Sequence, residues 1–295
     1  MQTKHWMVSA LISGFIVTAG IHADDDADYA AEIEKNFEKE RRKVSELFRG
    51  RVNLLLHLKA LAPDIWNPEI ATQFEKWSNG YGQQILLENA QLLTKAKRAI
   101  DNYARLRSTG ERRKRLNDAQ SAVDAVTINN NNVVSDMAFI AKQLPIAAKL
   151  REILEWQEIN LPGEGPTKLR KLAEAERQLR EAMLGDLNLL AQLLEHVSTG
   201  ESEKLVFASK YNAENAVEKS RLALQKAQIA AKTALWQLLA GAPPNDEALQ
   251  KTIDGLVAAN ITANEDIIQT TNHIVFQIKL SPELESWFIA AGLKK

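Results

Sequence analysis

Apolar residues recur at helical spacing along nearly the whole chain after Ala30. Ile33, Phe37, Val44, Leu47, Leu54, Leu58 and Leu61 fall three, four or seven apart, so they share one face of a helix. Glu34, Glu38, Lys39 and Arg42 lie on the polar face, with Glu38 and Arg42 at i,i+4, and the charge run 38–43 reads as its solvated side. Asp64 to Pro68 is the first stop, where Asn67 suits an N-cap and Pro68 the first position of a new helix. The second helix is predicted over 68–107 on Ile70, Phe74, Trp77, Tyr81, Ile85, Leu92, Ala96, Tyr103 and Leu106. Gly80 and Gly82 weaken it and mark a bend. Ser108-Thr109-Gly110 closes it, and a third helix follows over 111–143, entered through Arg112-Arg113-Lys114-Arg115.

Leu161-Pro162-Gly163-Glu164-Gly165-Pro166 is the clearest punctuation in the chain and the expected domain boundary. Helices are predicted again over 167–197, 201–240 and 246–279, with a short terminal helix capped at Ser281-Pro282-Glu283. No apolar run after the N-terminus reaches transmembrane length, and period-2 alternation is absent. The expected fold class is all-α: two tandem, long three-helix bundles of antiparallel, coiled-coil-like packing, spanning 24–160 and 167–295.

The two halves also resemble each other residue by residue. Glu46, Gly50, Asn53, Leu54 and Leu55 match Glu181, Gly185, Asn188, Leu189 and Leu190 at a constant offset of 135. Val123, Ala125, Asn130, Val133, Val134, Ile140, Gln143 and Leu144 face Val257, Ala259, Asn264, Ile267, Ile268, Ile274, Gln277 and Ile278 at an offset of 134. An apolar period alone produces matches between helices; the shared Gly, Asn and Gln go beyond it and point to duplication.

Composition narrows the class. Hydrophobic residues make up 45% of the 295, and 13 Gly with 8 Pro are few for a loop-rich or β-rich protein. Residues 1–23 read as a secretory signal: Lys4 and His5, an apolar run from Trp6 to Ile21, then Ile21-His22-Ala23 before the acidic Asp24-Asp25-Asp26. The competing reading is an uncleaved anchor, for which the run is short. Cleavage removes Lys4 and no acid, leaving 36 basic against 38 acidic residues. That balance gives no reason to expect nucleic acid or an anionic membrane surface as a partner. The chain has no cysteine, which excludes disulfides, thiolate metal sites and a lipidated N-terminal cysteine. The expected location is the periplasm or exterior of a Gram-negative bacterium, with no stable membrane span after cleavage.

Candidate chemistry is sparse. Val123, Val126, Asn130, Val133, Met137, Ile140 and Leu144 step by three and four alternately, a coiled-coil seam with Asn130 inside it. Val257, Asn260, Asn264, Ile267, Thr271, Ile274 and Ile278 keep the same register in the last long helix. A polar seam residue fixes register, because a slipped alignment leaves its amide unpaired. Two other readings are a wet, kinked turn through the four asparagines 129–132 and a ligand or partner site on the polar layer. For the latter, Asn130, Asn260, Asn264 and Thr271 are the candidates.

His57, His196 and His273 form no ligand-spaced pair, and no Gly-x-Ser-x-Gly, phosphate loop or Glu-x-x-His motif occurs. No enzyme, metal or cofactor is expected. Trp66, Trp77, Trp156, Trp236 and Trp287 lie near predicted helix ends or bends, where they plug the bundle ends.

The composite expectation is an exported, non-enzymatic scaffold or adaptor that binds another envelope or extracellular protein, or itself. The alternatives are an α-helical pore-forming toxin or toxin component and a helical small-ligand sensor or carrier.

Overall fold

The computed structural model describes residues 23–148, 150, 151, 167–196 and 247–293, with scattered positions between 214 and 233. The signal segment, the 161–166 boundary, most of the predicted 201–240 helix, Trp156 and Trp236 lie outside the described residues. Those described are all-helical, with no strand among them.

Helix α1 (Ala23–Leu47) runs through a π-helical turn, Phe48–Val52, into the short α2 (Asn53–Leu61). Helix α3 (Pro68–Lys76) starts where expected: Asn67 accepts from the Glu69 N–H at 2.9 Å and Pro68 holds the first position. The predicted 68–107 helix is interrupted. A second π-helical segment, Trp77–Gly82, separates α3 from α4 (Gln83–Tyr103). Within it the Trp77 ring folds back over the bare Cα of Gly82; a Cβ there would lie 2.4 Å from it. Helix α5 (Thr109–Gln143) is capped by Ser108 and is helical through all four asparagines 129–132, so they form no turn.

Helices α1, α4 and α5 pack on one another around a shared core of Ile33, Phe37, Leu86, Leu116, Val126 and Met137. In the second half α6 (Thr167–Ala182) passes through a π-helical turn, Met183–Leu187, into α7 (Asn188–His196). Helix α6 packs against the long α8 (Glu247–Gln277), and α9 (Pro282–Ala290), capped by Ser281, closes the chain. The two π-helical turns break helical geometry at glycines 135 apart, Gly50 (φ −84°, ψ −108°) and Gly185 (φ −85°, ψ −127°).

Past each turn, α2 and α7 pack on each other. Their sequences, NLLLHLKAL and NLLAQLLEH, are apolar nearly all round, which suits helices enclosed on every side. Trp66, Phe74, Trp77 and Trp287 form an aromatic row with ring centroids 5.2, 6.2 and 6.4 Å apart, joining α3 to α9. The Trp77 indole donates to Asp136 Oδ2 at 3.0 Å. Burial raises the Asp136 pKa, and this bond works against that rise.

Candidate functional site

Asn130 is fully buried, and the structure shows what it meets. Its Nδ2 donates to Glu40 Oε2 on α1 at 2.7 Å, and its Oδ1 accepts from Asn89 Nδ2 on α4 at 3.2 Å. Asn89 in turn accepts from Asn129 Nδ2 at 3.0 Å. The chain of bonds crosses all three helices and ends on the Glu40 carboxylate, itself buried. At its rim Lys43 donates to Asn131 Oδ1 at 2.9 Å. A donor-to-acceptor relay of this kind holds three helices in one register, since sliding any of them strands a buried amide. Asn130 was singled out from the sequence and its two partners were not, although both hold the same kind of position: Glu40 stands between Phe37 and Val44, and Asn89 between Leu86 and Leu93, each in an apolar three-four seam.

The second seam is different. Asn260 and Thr271 are buried and Asn264 is half-buried on α8. Asn260 Nδ2, Asn264 Oδ1 and Thr271 Oγ1 are enclosed atoms without a hydrogen-bond partner among the described residues. All three lie on α8, and no hydrogen bond joins these atoms to one another. Helix α6, which packs against α8, buries an i,i+4 ion pair, with Arg180 Nε 3.3 Å from Glu176 Oε1.

A third polar feature had been missed as a site. Asn53 and His57, on α2, reach the end of α8. Asn53 Nδ2 donates to the Lys279 carbonyl at 3.1 Å and its Oδ1 accepts from the Ser281 N–H at 2.8 Å. His57 Nε2 donates to the same Lys279 carbonyl at 2.8 Å; a carbonyl only accepts, so Nε2 carries the proton. On α7, Asn188 Nδ2 donates to the Pro145 carbonyl at 3.1 Å and its Oδ1 accepts from the Ala147 N–H at 2.9 Å. Gln192 Nε2 donates to Pro145 as well, at 2.8 Å. The two side chains stand 135 residues after Asn53 and His57, and their targets stand 134 residues before Lys279 and Ser281. The signal available in sequence was the identical Asn53 and Asn188, each opening a short apolar run just after a glycine.

These side chains satisfy backbone groups left over where α5 and α8 end. Burial lowers the His57 pKa, and its bond to the Lys279 carbonyl works against that fall. Between the two sets, Arg51 Nε meets Asp186 Oδ1 at 2.5 Å, and these residues too are 135 apart.

Elsewhere, a groove of about 580 Å³ lies between α4 and α5, lined by Lys95, Arg98 and Arg115 with Asp118. All four side chains are exposed, so water screens their charges. Among the described residues no group of three or more His, Asp or Glu is placed to hold a metal, and no helix is long and apolar enough to cross a membrane. Comparison with protein-family models, curated proteins and solved structures finds no match for this chain.

Proposed function

We propose that the chain is an exported, non-enzymatic scaffold built of two duplicated three-helix units, which binds another envelope or extracellular protein through its outer helix faces. The observation that carries this reading is where the polar and apolar groups of α5 go. Its buried Asn130 is bonded internally, to Glu40 and Asn89, rather than held open. Its opposite side presents Ile128 and Phe139, 61% and 53% exposed and eleven residues apart, hence on one face. Large apolar side chains held open on a rigid helix are the raw material of a protein interface. Helix α8 also exposes Ile261, Ile268 and Phe276. The matched bonds of Asn53 and Asn188 support the duplication, and the apolar run 6–21 supports export.

In-cell crosslinking of the tagged protein in its native host, followed by mass spectrometry, tests the reading. One dominant envelope or surface protein is expected, and the double substitution Ile128→Ser with Phe139→Ser is expected to abolish its capture. Capture unaffected by that pair removes α5 as the binding face.

A second reading rests on Asn260, Asn264 and Thr271, whose unpaired atoms suit a small polar ligand held beside α8. Native mass spectrometry of protein purified from its host is expected to show a bound small molecule that Asn260→Val removes. A chain at its bare mass excludes it.

A further inference from the structure

Contacts between the two halves are reciprocal. Side chains of α2 hold the end of α8, and side chains at equivalent positions of α7 hold the end of α5. Contacts in which i meets j and the counterpart of j meets the counterpart of i define a two-fold interface between like subunits. Near such an axis a residue faces its own counterpart. Arg51 and Asp186 do so, as counterparts 135 residues apart and in direct contact.

Their charges carry information. Two first halves meeting on this face would set Arg51 against Arg51, and two second halves would set Asp186 against Asp186. Both repel across a contact only a quarter exposed to solvent, where screening is incomplete. Only a first half on a second half forms the ion pair. Within one chain that pairing is made once.

We propose that this face is an association surface for a second copy of the chain: two molecules exchange halves, each first half docking on the other's second half, and Arg51 with Asp186 selects that pairing. The inference rests on the duplicated-unit reading above. Exchange repeats every inter-half bond twice and requires no new contact, so chain concentration and the connection between the halves set the balance.

The test uses two full-length variants with different tags, R51D and D186R. Alone, each places like charges at positions 51 and 186. Exchanged with each other, both contacts become acid against base. The variants are denatured together, refolded and captured through one tag. The expected result is a two-chain species carrying both tags, about tenfold more abundant than same-variant pairs and reduced by high salt. Variants that fold by circular dichroism yet give no mixed species overturn exchange.

If either variant alone fails to fold, differently tagged wild-type chains refolded together at high concentration decide the matter. A mixed dimer supports exchange, and monomers only overturn it. The double reversal R51D/D186R separates the two levels. If it melts like the wild type while no mixed species forms, the two-fold relation stands and exchange alone falls. If it melts as far below the wild type as the single variants, the charge-pair basis of the proposal falls too.

Discussion

Asn130 and Asn188 are both buried asparagines, each with a counterpart in the other half, and their counterparts fare differently. Asn53 makes the same pair of bonds as Asn188. Asn264, the counterpart of Asn130, leaves its Oδ1 without a partner among the described residues. The difference is in what each asparagine bonds to. Asn53 and Asn188 bond to backbone N–H and C=O groups, which any residue supplies, so Pro145 and Ala147 can stand where the other half has Lys279 and Ser281. Asn130 depends on the side chains of Glu40 and Asn89. Position 175, 135 after Glu40, is alanine, and Ala223 and Leu224 lie 134 and 135 after Asn89. A polar contact to backbone tolerates a change of residue at its partner, whereas a contact to a side chain is lost when that side chain changes.

The largest expected effect breaks the satisfied seam. Asn130→Leu strands the buried Glu40 carboxylate and should lower stability by about 3–5 kcal/mol in urea denaturation. Asn264→Leu should leave stability unchanged or slightly raised. Equal losses at the two positions would mean that Asn264 has a partner equivalent to Glu40.

Next come the paired clamps. Asn53→Leu orphans the Ser281 N–H and Asn188→Leu orphans the Ala147 N–H, while His57 and Gln192 still hold the carbonyls. Each should lower stability by about 2–4 kcal/mol, and the two losses should agree within about 1 kcal/mol. Unequal losses in the same denaturation assay would show that the clamps differ in more than sequence position.

A gain is expected in the second seam. Asn260→Val installs the residue found at Val126, 134 positions earlier, and removes a buried amide nitrogen that lacks a partner among the described residues. A rise of about 1–2 kcal/mol is predicted. A fall would show that this nitrogen is satisfied in solution.

The smallest effect distinguishes His57 from Gln192. Because burial lowers the His57 pKa, the unfolded chain takes up a proton near pH 6.5 more readily than the folded one. Its contribution to stability is therefore complete above about pH 6.5 and is lost as the pH falls below that toward the lower folded value. His57→Gln keeps a donor for Lys279, as Gln192 does for Pro145, and should flatten this acid dependence by under about 1 kcal/mol between about pH 8 and about pH 5. A variant with an unchanged pH profile would place the acid sensitivity elsewhere.

Much of the fold was legible because it rests on local periodicity. The spacing of apolar residues is a property of the helix itself, and Asn67-Pro68, Ser108 and Ser281-Pro282 cap helices by bonding two or three residues ahead. The break at Trp77–Gly82 was half visible: two glycines marked a bend, but the ring that occupies the space had to be seen. Asn130 announced itself as the polar member of an apolar seam. Glu40 and Asn89 also hold three-four seam positions, between Phe37 and Val44 and between Leu86 and Leu93, so their burial was legible by the same rule; that they bond to Asn130 was not.

By itself, then, the sequence determined an all-helical chain with its helix starts, its seam positions and two matching series of residues. Tertiary structure alone decided what the buried polar side chains meet. Asn53 reaches residues 226 and 228 positions away, and Asn188 reaches back 43 and 41, distances over which periodicity carries no information. Hydrogen bonds act over about 3 Å in space, and only the packed helices bring such positions within that range.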